Sequence, residues 1–266
     1  DDGGTANGGV DTSPAQTFTI TVNAVNDVPS FSATNPPTVD EDAGAQSVVG
    51  WATFSAGPAD ESSQTVVAYT VSNVSNTGLF SAQPSVAPDG TLSYTPTANA
   101  FGTSTFDVVV RDDGGTANGG VDTSVVQTFT ITVNEVNDVP SFTAGPNQAV
   151  NEDAGPQANP WATALSAGPA NEVGQTLTFT LTGNTTPGLF SAGPAVSPAG
   201  VLTYTPAANA NGASTITLTL ADNGSNVAPN VNTSAPQNFT LTVNPVNDPP
   251  VGRTPAPSYT GNANLI

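Results

Sequence analysis

The sequence has no cysteine, methionine, histidine or lysine, and two arginines stand against 21 acidic residues. Each absence removes a class of function. Without cysteine there is no disulfide framework and no thiolate metal site, and without histidine no Ser-His or Cys-His catalytic pair can form. Without lysine, neither the P-loop motif nor Schiff-base chemistry is available. A formal net charge of −19 leaves almost nothing to neutralise phosphates, so nucleic acid is an implausible partner. No run of about 18 apolar residues is present to span a membrane. No signal peptide opens the sequence, and Asp1 reads as a point inside a longer chain. Cysteine-free composition suits an exported protein that never relies on oxidative folding, and a cytosolic protein could share it.

What is present is turn-forming and β-prone. There are 26 glycines and 24 prolines, and threonine and valine fit a pleated, half-buried surface. The sequence repeats itself. DDGGTANGGVDTS at the start recurs at 112–124, QTFTITVN recurs from Gln127, and VNDVPSF at 25–31 and 136–142 becomes VNDPPVG at 246–252. The period predicts these domains: 1–26, the terminal strands of a preceding repeat; 27–137 and 138–247, two whole repeats; and 248–266, the start of a next unit or a linker tail.

Within each repeat apolar residues alternate with polar ones. Val67/Tyr69/Val71, Phe106/Val108/Val110 and Phe129/Ile131/Val133 are matched by Leu177/Phe179/Leu181, Ile216/Leu218/Leu220 and Phe239/Leu241/Val243. A period of two argues strands with one buried face. With a segment after the VND motif, one around Trp51, and runs at Leu79 and Leu92–Tyr94, seven strands A to G are predicted. Turn clusters such as APDG and SPAG separate them. The expected architecture is all-β: tandem seven-stranded Greek-key immunoglobulin-like β-sandwiches arranged end to end. Trp51 and Trp161 read as core fillers.

The acids fall on corners. In an antiparallel sandwich the A–B corner lies at the pole where strand G leaves (the distal pole). The B–C and F–G corners lie where strand A begins (the proximal pole). Glu41, Asp42 and Glu152 fall in A–B corners, Asp60, Glu61 and Glu172 in B–C corners, and Asp112 and Asp222 in F–G corners. Asn26-Asp27, Glu135 with Asn137-Asp138, and Asn247-Asp248 occupy the junctions. Stacked repeats would gather these groups at a seam, where two like charges about 4 Å apart repel by roughly 4 kcal/mol at an effective dielectric of 20. Oxygen ligands without nitrogen or sulfur suit a hard cation taking about 6–8 of them, which is Ca2+. An acidic surface serving only solubility would spread its acids along the strands.

VVRDDGGTANGGVDTSVVQTFTITVNEVNDVPSF resembles the end of a cadherin repeat, with its A-x-D-x-G corner and D-x-N-D-x-P linker. TLSYTPTANAFGTSTFDVVVRDDGG resembles the bacterial cadherin-like, tandem-95 type repeats of large calcium-dependent surface adhesins. The resemblance runs over both repeats and implies an exported bacterial protein with calcium at each linker. By it Glu41 and Glu152 match the A–B glutamate, Asp112 and Asp222 the F–G aspartate, and Asn137-Asp138 the linker. The linker's first acid is Glu135 at one junction but Ala24 and Pro245 at the others. The B–C pair is reduced to Asp60-Glu61 or to Glu172, which implies fewer ions per seam than in animal cadherins.

DDGGTANGGVD lacks the terminal Glu of an EF-hand and the RTX spacing. Asn73, Asn184, Asn223, Asn232 and Asn238 stand in N-x-S/T sequons. Paired carboxylates could serve a glycosidase, but here they recur at corners rather than in a cleft, so no enzyme is expected. The sequence therefore reads as an extracellular shaft stiffened by calcium, its partners being neighbouring repeats and cell-surface or matrix ligands, as in a biofilm. The rival reading is a self-assembling filament subunit in which neighbours donate strands. Residues 1–26 carry a strand (Phe18, Ile20, Val22) without a sandwich, and the TGNANLI ending is a second candidate donor.

Overall fold

The computed structural model describes residues 1–249; Pro250 onward, including the TGNANLI ending, lies outside the described residues. The chain forms two compact units, divided between Asn134 and Glu135.

In the first unit the strands are β1 (Ser30–Ser32), β2 (Val39–Asp40), β3 (Gln46–Val48), β4 (Thr53–Ser55), β5 (Val66–Ser72), β6 (Phe80–Val86), β7 (Leu92–Pro96), β8 (Gly102–Asp112) and β9 (Gln127–Asn134). One sheet has the order β2-β9-β8-β5, the facing one β3-β7-β6, and β1 pairs with β4. The period of two sets which face is buried. On β8, Phe106, Val108 and Val110 are fully buried, and Phe106 lies opposite Phe129 of β9. Trp51 closes this core, with its ring 4.7 Å from Phe129 and its indole N–H donating to the Thr34 carbonyl at 2.7 Å. It is a packing residue, as the sequence suggests.

The second unit repeats the plan with β10 (Ser141–Thr143), β11 (Gln148–Asn151), β12 (Gln157–Pro160), β13 (Thr163–Ser166), β14 (Thr178–Asn184), β15 (Phe190–Val196), β16 (Val201–Pro206), β17 (Gly212–Ala221) and β18 (Gln237–Asn244). Its sheets run β11-β18-β17-β14 and β12-β16-β15, with β10 on β13. Ile216, Leu218, Leu220 and Leu241 are its buried centre, and Trp161 stacks 4.3 Å from Phe239.

The expected strands A and B are each broken in two. β1 pairs antiparallel with β4, whereas β2 crosses over to pair parallel with β9. Pro36-Pro37 lies at that switch, and proline has no N–H to offer a ladder. Pro146 stands at the matching place before β11.

Residues 16–23 have the same sequence as β9, yet they form no strand among the described residues. Phe18, Ile20 and Val22 are 85%, 89% and 89% exposed, while Phe129, Ile131 and Val133 in the same octapeptide are at 5%, 0% and 2%. Identical sequence with opposite burial means that β8 and β2, rather than intrinsic propensity, order this strand.

Candidate metal centre

Both proximal poles are built by the same local devices. A Gly-Pro pair leads into a one-turn 3-10 helix, Ala59–Glu61 in the first unit and Ala170–Glu172 in the second. The Glu carbonyl at its end accepts the backbone N–H of Gln64 (2.9 Å) or Gln175 (3.0 Å), which brings Glu and Gln to one pole. Asp112 ends β8 and Asp222 follows β17. Each folds its Oδ1 back onto a backbone N–H two residues on, Gly114 at 3.0 Å and Gly224 at 2.8 Å, as Asp does in an Asx turn.

The junction residues lock onto these groups. In the second unit the Asn137 Nδ2 donates to Asp222 Oδ1 (3.2 Å) and to the Val231 carbonyl (3.0 Å), and its Oδ1 accepts from Gln175 Nε2 at 2.7 Å. The backbone N–H of Asp138 donates to Glu172 Oε1 at 2.8 Å. The first unit repeats this bond for bond. Asn26 Nδ2 donates to Asp112 Oδ1 (3.1 Å) and the Val121 carbonyl (2.8 Å), Gln64 Nε2 to Asn26 Oδ1 (2.7 Å), and the Asp27 N–H to Glu61 Oε1 (2.6 Å).

After these bonds the same oxygens are left over in both units. Glu61 Oε2, Asp112 Oδ2 and Gln64 Oε1 are buried and have no hydrogen-bond partner among the described residues, and neither have Glu172 Oε2, Asp222 Oδ2 and Gln175 Oε1. Glu61, Glu172, Asp112 and Asp222 are themselves at most 7% exposed. An unsatisfied buried polar group costs about 1–3 kcal/mol, and more when charged. Glycines make the space: a Cβ on Gly57 or Gly168 would strike Oε2 of Glu61 or Glu172, and one on Gly114 or Gly224 would strike the Asn Oδ1. A cavity of about 300 Å³ borders Glu135, Asn137, Glu172, Gln175, Gly224 and Asn230, and one of about 150 Å³ borders Asn26, Asp60, Glu61, Gln64 and Gly114.

The electrostatics are unfavourable to a bare carboxylate. Burial raises the Glu172 carboxyl above the ordinary glutamate value; the Asp138 N–H opposes that shift, and the charges of Asp138, Asp222 and Glu135 add to it. Among the described residues no three acidic side chains converge closely enough to form a finished metal cluster. Each pole instead combines buried carboxylates with carboxamides, an all-oxygen donor set that fits a hard cation.

The remaining sequence-assigned residues lie elsewhere. Glu41 and Asp42 sit in the β2–β3 corner at the distal pole of the first unit. Glu41 is buried there with its N–H on the Asn134 carbonyl (2.9 Å), and Asp42 Oδ1 accepts the Asn99 N–H (3.0 Å). Glu152 is their counterpart in the second unit, with Oε1 on the Val246 N–H (2.7 Å) and Oε2 on Asn211 Nδ2 (3.4 Å). Asn247 and Asp248 follow on the surface. Asp27, Asp60 and Glu135 are exposed at the rims of their poles. The sequence reading missed Gln64 and Gln175, although a Gln-Thr pair begins three residues after each B–C glutamate.

No protein-family model matches the chain, and no curated protein sequence matches it. Solved structures do. The EC1-2 segment of human protocadherin-24 (form II) aligns over 82% of this chain and 99% of that one, with a TM-score of 0.50 and 16% identity. Mouse cadherin-23 EC22-24 aligns over 83% and 67%, with a TM-score of 0.45 and 16% identity. Sidekick-1 immunoglobulin domains 1–4 align over 84% and 50%, with a TM-score of 0.37 and 14% identity. The protocadherin match shows the fold: this chain is built of cadherin-like β-sandwiches.

Proposed function

We propose that the chain is a structural, non-enzymatic repeat region, the shaft of a bacterial surface adhesin or fibre, which binds Ca2+ at its Asn-Asp junctions. The observation that carries this reading is the pair of proximal poles, where each repeat leaves the same three buried oxygens without a donor. Glu61, Asp112 and Asp27 in one repeat, and Glu172, Asp222, Asp138 and Glu135 in the other, supply the acidic ligands. Asp60 stands at the first pole, Glu41, Asp42 and Glu152 serve from the distal corners, and Asn247-Asp248 continues the series. A bound divalent ion supplies the positive charge that these carboxylates lack. It stiffens the array, and its removal leaves the joints free to hinge. An extracellular setting agrees with this, since millimolar calcium is the regime of extracellular modules. Among the described residues no helix is long and apolar enough to cross a membrane. The test is small-angle scattering of the 266-residue chain with calcium and with chelator. The expected result is a longer maximum dimension and a smaller spread of conformations with calcium; identical curves refute the stiffened shaft.

A second reading, filament assembly by strand donation, is favoured by one observation: Phe18, Ile20 and Val22 are exposed in a segment identical to β9. Donation predicts concentration-dependent oligomers in sedimentation that Ile20→Asp abolishes. A monomer at all concentrations rejects it.

A further inference from the structure

The carboxamides at each pole divide their work in a way that the geometry fixes. Asn137 Nδ2 faces Asp222 Oδ1 and the Val231 carbonyl, and both of these only accept hydrogen bonds. That atom is therefore the NH2 group, and Oδ1 must be the atom facing Gln175. Because Oδ1 is an acceptor, Gln175 must present its own NH2 to it, at 2.7 Å. The Gln175 carbonyl oxygen is then turned the other way, buried and without a donor among the described residues. The first unit reaches the same end independently: Asn26 Nδ2 faces Asp112 Oδ1 and the Val121 carbonyl, Gln64 Nε2 faces Asn26 Oδ1, and Gln64 Oε1 is left over. Reversing either amide would set donor against donor or acceptor against acceptor.

The geometry points to a reassignment: Gln64 and Gln175 are the neutral cation ligands of the two poles, through Oε1, and the side chains of Asn26 and Asn137 are clamps rather than ligands. This rests on the calcium reading above and goes beyond it. A buried amide carbonyl without a donor is tolerated where a cation takes its lone pairs, and amide oxygens are ordinary ligands of Ca2+. The Asn side chain is already committed within the pole. Its Oδ1 is occupied by the Gln amide, and Gly114 or Gly224 is packed against it so closely that a Cβ would not fit. The clamp also holds Asp112 and Asp222 by Oδ1 so that Oδ2 stays free.

The two roles differ in how much stability the metal-free protein loses. Gln→Leu at both 64 and 175 removes the ligand oxygen together with an unsatisfied buried acceptor. Calcium affinity in calorimetric titration of the full chain should fall at least tenfold. The same change removes the donor to Asn Oδ1, so the melting temperature of the second unit in chelator should fall, but by less than in Asn137→Ala, which breaks three hydrogen bonds. Asn137→Ala breaks the clamp and should lower the melting temperature in chelator. Unchanged affinity in the Gln→Leu chain overturns the reassignment while the calcium reading stands. A chelator-state loss in the Gln→Leu chain as large as that of Asn137→Ala also overturns it, because Gln would then be a positioning residue. If the unaltered chain takes up no calcium, the calcium reading itself fails and the reassignment fails with it.

Discussion

Tyr94 and Tyr204 lie 2% exposed in the two cores, and neither hydroxyl finds a partner among the described residues. Burial pushes both phenols above their ordinary pKa. An unsatisfied buried hydroxyl costs about 1–3 kcal/mol, whereas the ring it sits on is a packing asset. Tyr204→Phe should therefore stabilise the second unit by about 1 kcal/mol, raising its melting temperature by a few degrees. A drop in melting temperature would mean that the hydroxyl is bonded in solution. Glu172 makes the opposite kind of prediction. Its carboxyl titrates above the ordinary value because it is buried and faces Asp138, Asp222 and Glu135. The folded state then holds a proton that the unfolded state has already lost. In chelator its contribution to the stability of the second unit should be greatest below the ordinary glutamate pKa and be lost as pH rises through the raised one. Glu172→Gln should flatten that slope in thermal melts taken across the acid range.

Elements separate what the sequence could reveal from what it could not. The ladders of β8 and β9 were legible because every second side chain on them is apolar, and one buried face allows only one register. On β5 and β14 the expected alternation fails at register shifts, which leave Val67 and Leu181 exposed. The breaks in strands A and B were not legible from periodicity, since β1 and β3 are three residues long and carry too few alternations. Pro36-Pro37 was the available sign. At the poles, charge marked Glu61, Glu172, Asp112 and Asp222, but it was silent on Gln64 and Gln175, whose role depends on which atom each amide turns inward. The glycines were read only as turn formers, yet Gly168 also gives Glu172 its space. Gly168→Ala would press on Glu172 Oε2 and its carboxyl carbon, and that side chain is buried and held through Oε1, so stability in chelator should fall by about 1–3 kcal/mol. Calcium affinity, read by calorimetry, should fall at least tenfold because the displaced oxygen is a ligand. Retained affinity would place the cation elsewhere.

For the whole molecule the question is whether the net charge of −19 acts as a diffuse surface or through its corners. The two alternatives respond differently to ions. Diffuse repulsion between exposed acids is screened by any salt, and at 1 M the Debye length is about 3 Å. Buried carboxylates such as Glu61, Asp112, Glu172 and Asp222 are poorly reached by that screening and need an ion that enters the pole. A ligand that binds only the folded state at about 100 times its Kd stabilises by about 2.7 kcal/mol per site. Millimolar calcium should therefore raise the melting temperature of both units well beyond the effect of 1 M sodium chloride. The paired change Glu61→Gln with Glu172→Gln should abolish the calcium increment and leave the sodium increment in place. Differential scanning calorimetry of the two proteins in calcium, in sodium and in chelator measures all of these terms. Equal shifts from sodium and calcium would reduce the acidic corners to a solvated surface and remove the basis for a calcium-stiffened shaft.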